Sequence, residues 1–179
     1  MTPLARRTRL VALCLIATPL ASSAVIAQTF SAGAQRADVV ATSAGGIGDT
    51  AASLSLNRAQ SLHGRMRFAH ARREYISAAK KLEAAGAMPC EALWQAAEMY
   101  HAEGNMRGAA RTLDLVAEKA AAFGHPSMQA KALLEAAILY EQSGAAWQAS
   151  TRLTRLDAVL TSPHVPDSVR SEIAKRRKS

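Results

Sequence analysis

The sequence predicts an all-α protein built of antiparallel helical hairpins, stacked as a short solenoid and closed by a C-terminal capping helix. Three observations carry that expectation. Alanine, the best intrinsic helix former, supplies 40 of 179 residues, and only 8 residues are aromatic. From residue 50 onward apolar side chains recur at i, i+4 and i+7, the spacing of one helix face. ALWQAAEMYHAEGNMRGAARTL (residues 92–113) aligns without a gap on ALLEAAILYEQSGAAWQASTRL (residues 132–153), a shift of 40. A hydrophobic content of 49% excludes a wholly disordered chain, and two cysteines exclude a disulfide scaffold.

The chain opens on an address. Arg6, Arg7 and Arg9 precede an uncharged, apolar run over residues 10–20, which Pro19, Ser22 and Ser23 break. Small residues at Ala24 and Ala27 place a cleavage site after Ala27, so residues 1–27 read as a secretory signal peptide. The expected location is therefore periplasmic or secreted. The alternative is an uncleaved N-terminal anchor, since no charge falls between Arg9 and Arg36; the apolar run is short for a span of ~20 residues. Leu13 before Cys14 does not suit a bacterial lipoprotein signal. Cleavage removes three arginines and lowers the formal charge from +8 to +5.

Residues 28–49 are rich in Ala, Ser, Gly and Thr and read as a disordered linker. Gly45, Gly46 and Gly48 are not a phosphate loop, because no strand precedes them. Residues 50–163 carry the hairpins. Leu93, Ala97 and Tyr100 share one face, Gly104 stops that helix, and Ala109, Leu113 and Val116 repeat the spacing on the next. Small alanines at helix crossings permit close approach. Pro89, Pro126 and Pro163, spaced by 37, mark the hairpin boundaries, because proline is tolerated at a helix start and not inside it. An earlier copy has Ala59 and Leu62 on its first helix and Phe68, Ala71, Tyr75 and Ala78 on its second. Residues 164–179 form the capping helix and basic tail: Asp167 or Ser168 can cap it, and Val169 and Ile173 share a face. Cys90, near a helix start, is expected to be buried, and Trp147 to be structural.

The string Leu93, Ala97, Tyr100, Gly104, Ala109, Leu113, with its copy Leu133, Ala137, Tyr140, Gly144, Ala149, Leu153, resembles the tetratricopeptide repeat. The resemblance covers roughly residues 52–160. The period of about 38–40 exceeds the family's usual length, and the closing proline is displaced. The resemblance implies a concave surface, lined by the first helix of each hairpin, that binds another protein or a peptide. Glu91, Trp94, Glu98 and His101 in one repeat, and Lys131, Leu134, Ile138 and Glu141 in the next, would line it. Trp94, Leu134 and Ile138 would form its apolar floor. Packing of Trp94 against the linker or first hairpin is the competing reading.

Other chemistry is thin. Glu98 and His101 form a single E-x-x-H pair, whereas a di-iron bundle needs two, so no metal and no cofactor is expected. His63 and His70 lie among arginines, an unfavourable place for another cation, and His125 and His164 fall in loops. No nucleophile–base constellation is visible, so the chain reads as a non-enzyme. The most basic stretch holds Arg65, Arg67, Arg72, Arg73, Lys80 and Lys81; with the Lys175–Lys178 run it gives an alternative, an envelope-associated structural protein held on an anionic surface. No nucleic-acid partner is expected, because an aromatic platform is lacking. Three hairpins are a minimal stack, so homodimerisation is a further way to cover an open end.

Overall fold

The computed structural model of the chain describes residues 47–177. The signal segment, most of the linker and the last two residues lie outside them. Among the described residues there are seven helices and no strand. They are α1 (Ile47–Gly64), α2 (Phe68–Ala84), α3 (Cys90–Ala102), α4 (Met106–Ala122), α5 (Pro126–Gln142), α6 (Ala146–Leu160) and α7 (Asp167–Arg176). Each of α1 to α5 packs on the next, and α7 returns to α5. The architecture is an all-α stack of three helical hairpins with a C-terminal cap. The first helix begins at Ile47, inside the segment read as linker; extending an established helix upstream costs little once its nucleus exists.

Short turns made by one device produce the antiparallel stack. Gly86, Gly104, Gly124 and Gly144 all adopt a left-handed backbone with φ of 72–74°. Around Gly104, its own N–H donates to the His101 carbonyl (2.8 Å) and the Asn105 N–H to the Tyr100 carbonyl (2.9 Å). This paired closure satisfies carbonyls that the helix end would leave orphaned. In the first hairpin the position equivalent to Gly104 is Met66, the only non-glycine residue with positive φ (57°) among the described residues. Its N–H and that of Arg67 make the same two bonds, to His63 and Leu62.

Two of the three boundary prolines sit at helix starts, and the third lies in a turn between helices. Pro89 precedes α3, Pro126 is the first residue of α5, and Pro163 lies in the turn after α6. Asp167 is the first residue of α7 and the capping position falls to Pro166, whose extended φ and ψ (−62°, 148°) suit a helix entry.

One core runs from α2 to α7. Leu113, Val116, Leu133, Leu139, Leu156 and Ile173 are its large, fully buried members, and Ala78, Ala97, Ala109, Ala117, Ala132 and Ala136 stand between them. Burial of such side chains contributes roughly 1.5–3 kcal/mol each before conformational entropy is set against it. A second, smaller core of Ala59, Ala71, Tyr75, Ala96 and Met99 joins the first hairpin to α3. Cys90 is buried, and its thiol donates weakly to the Val116 carbonyl (3.7 Å). The repeated tyrosines each carry an arginine on the ring. Arg72 stacks on Tyr100 at 4.0 Å and bonds Glu103 (2.6 Å). Arg152 lies 4.8 Å over Tyr140 and makes a forked bond to Asp114, which also accepts from the Tyr140 hydroxyl (2.9 Å).

Candidate functional site

The sequence-derived groove residues divide between α3 and α5, and the two sets differ in surroundings. On α3, buried Ala92, Ala96 and Met99 turn inward, which leaves Glu91, Trp94, Glu98 and His101 along the adjoining stripe. Trp94 is half-buried and packs against the main core. It also hydrogen-bonds the Glu98 carboxyl. Glu98 Oε1 is closed to solvent and has no hydrogen-bond partner. Burial, then the charge of Glu91, pushes the Glu98 carboxyl up to about 8, against the opposing pull of the Trp94 bond. At neutral pH it is chiefly the neutral acid and can donate as well as accept.

Glu91 is the exposed second residue of α3. Desolvation raises its carboxyl, and a bond from Gln95 (3.4 Å) opposes that. Tyr75 of α2 belongs to the same neighbourhood: burial, then the charges of Glu98 and Glu91, pushes its phenol up to about 12. No ion pair engages Glu91 or Glu98 among the described residues. His101 is half-buried; burial lowers its imidazole, and the charge of Glu135 pulls the other way. The stripe has an aromatic wall, two carboxyls and an imidazole. It contains no nucleophile with a base, and it suits hydrogen bonding to a partner.

On α5 the equivalent stripe is covered in part. Lys131 pairs with Glu172 of α7 (2.9 Å), and Glu135, its side chain only 6% exposed, pairs with Arg176. Leu134 is 2% exposed and belongs to the main core, as does Ile173 of α7. It is therefore not the open floor that the spacing suggests. Ile138 is half-buried against the core and Glu141 is exposed.

The basic candidates also divide. Arg65, Arg67, Arg73 and Lys80 are exposed. Arg72 is committed to Tyr100 and Glu103, and Lys81 turns inward to bond Ser55 Oγ (2.6 Å) and the Ala51 carbonyl (3.3 Å). In the tail, Arg176 pairs with Glu135 and Arg177 with Asp157 (2.6 Å). Trp147 is not a packing residue: it is 75% exposed, because two positions before buried Ala149 the α6 surface faces outward.

Sequence reasoning missed Tyr75 as a neighbour of the carboxyls, having assigned it to packing alone. It also missed Glu135, whose signal was a charged residue on a face otherwise made of Ala and Leu. Among the described residues no three His, Cys, Asp or Glu side chains converge as a metal site, and no helix is long and apolar enough to cross a membrane. The chain matches no protein-family model, no curated protein and no solved structure.

Proposed function

We propose that the chain is an exported, non-catalytic scaffold whose tetratricopeptide-like hairpins hold another protein or a peptide on the face of α3. The observation that carries this reading is Glu98. A carboxyl oxygen that is closed to solvent and lacks a partner is costly in a folded chain. Such groups concentrate where a ligand supplies the missing bond. Half-buried Trp94 beside it adds the large amphipathic surface common in recognition sites. The partner-binding stripe is Glu91, Trp94, Glu98 and His101.

The test is affinity capture from the envelope fraction of the source cell, followed by mass spectrometry, with wild type and a W94A/E98A variant. The variant keeps the wild-type helical circular dichroism and loses the partner. Equal capture by both proteins removes the α3 face as the binding surface.

A further inference from the structure

A surface cavity of about 310 Å³ lies at the turn between α3 and α4, away from the stripe just described. Tyr100, Asn105, Arg107, Gly108, Arg111 and Leu115 line it. Arg107 and Arg111 are four residues apart on α4, so both guanidinium groups serve one face. Neither forms an ion pair among the described residues. The lining contains no carboxylate. Asp114, three residues after Arg111, is committed to Arg152 and Tyr140.

The other polar groups at the cavity are oriented by bonds of their own. Asn105 caps α4: its Oδ1 accepts from the Gly108 N–H (2.8 Å), which leaves the Nδ2 hydrogens as donors. The Thr112 hydroxyl donates to the Gly108 carbonyl (2.9 Å). Gly108 lets the Tyr100 ring lie against the helix, since a Cβ there would fall 2.7 Å from Tyr100 Cδ1. Arg72, stacked on that ring at 4.0 Å, fixes it from outside the cavity. Tyr100 and Leu115, the latter 45% exposed, supply an apolar wall.

Two like charges four apart on a helix repel, and no ion pair among the described residues offsets them. A bound anion does. Guanidinium groups bind phosphate oxygens through paired N–H donors, and an adjoining amide donor adds a third direction that a tetrahedral anion can use. The volume exceeds that of a bare phosphate and leaves room for an attached organic group on the apolar wall. We propose that this cavity binds a phosphate group through Arg107, Arg111 and Asn105 Nδ2, with the organic substituent lying on Tyr100 and Leu115. The phosphate is carried by a soluble ester or by a phospholipid headgroup.

The test titrates inorganic phosphate into the ¹⁵N-labelled chain at low ionic strength and follows the amides of Asn105, Arg107, Gly108 and Arg111. They shift together and saturate. In an R107Q/R111Q variant the apparent Kd rises at least tenfold, while R58Q/R155Q, which removes two exposed arginines elsewhere on the surface, leaves it unchanged. Both variants are checked for wild-type circular dichroism; R111Q alone provides the same comparison if the double variant loses helix. A second arm sediments the chain with phosphatidylglycerol vesicles. Binding that R107Q/R111Q abolishes and inorganic phosphate competes away identifies a lipid headgroup; saturable phosphate binding without vesicle binding identifies a soluble ester. Shifts that never saturate, or that are the same in wild type and R107Q/R111Q, overturn the site.

Discussion

Helices α3 and α5 occupy equivalent places in two copies of one repeat, yet the middle of the outer stripe is half-buried at Trp94 on one and buried at Leu134 on the other. Leu93 and Leu133 both face the core, and Tyr100 and Tyr140 both carry an arginine on the ring. Beyond those positions they diverge. Trp94 is half-buried where Leu134 is 2% exposed, and Glu98 leaves an oxygen unpartnered where Ile138 packs on the core. The cause is α7. It brings Glu172 to Lys131 and Arg176 to Glu135, so the last repeat is closed by charge pairing as well as by Ile173. Repeat position dictates packing; access depends on which element comes next in the stack.

The largest expected effect comes from the positions the two helices share. Leu133→Ala removes a fully buried side chain and is expected to cost about 2–5 kcal/mol, with Leu93→Ala, 8% exposed, costing less. Urea unfolding monitored by circular dichroism measures both; equal costs would show that α7 adds nothing to the packing of α5. Next comes Arg176→Ala, which removes the guanidinium paired with buried Glu135. Because the Arg176 side chain is 27% exposed, the expected loss is reduced to about 1–3 kcal/mol. Glu135→Gln in the same background should recover part of it. An unchanged midpoint in Arg176→Ala would mean that the pair does not hold the cap.

The turns extend the comparison to the first hairpin. Met66→Gly relieves a left-handed backbone that glycine adopts freely, and should stabilise by about 1 kcal/mol, reduced by the extra freedom glycine gives the unfolded chain. A lower melting temperature would contradict the strain.

The smallest effect, at acid pH, belongs to Glu98. Its value in the folded chain, about 8, lies above the ordinary 4.5. The stability gained by holding that proton is present below pH 4.5 and is lost as pH rises through about 8. Glu98→Gln should therefore melt close to wild type near pH 4.5 and increasingly above it toward pH 8. A constant difference across that range would place the carboxyl in an ordinary solvated setting.

Much of this architecture was legible in the residues. The 40-residue shift, the Gly104 and Gly144 stops and the alanine crossings are local signals that tertiary structure preserves. The fates of Leu134 and Trp147 were not legible. Periodicity places a side chain on a helix face but cannot say whether a helix more than thirty residues later covers it, as α7 does over α5. The Met66 turn was hidden for a related reason. The hairpin geometry imposes the left-handed conformation on whichever residue stands there, and methionine gives no sign of it. The cavity at Arg107 and Arg111 escaped notice because its meaning lies in absent partners, which only a three-dimensional arrangement displays.

Thiol reactivity tests the difference between α3 and α5 most directly. Cys90 is fully buried and is expected to react slowly in the native state, so with Cys14 replaced by serine a single new cysteine reports its own position. Trp94→Cys should react with a maleimide at least tenfold faster than Leu134→Cys, and Ile173→Asp, which releases α7, should bring Leu134→Cys up to the faster rate. Equal rates at positions 94 and 134 in the otherwise native chain would contradict the account, because the two faces would then be equally open.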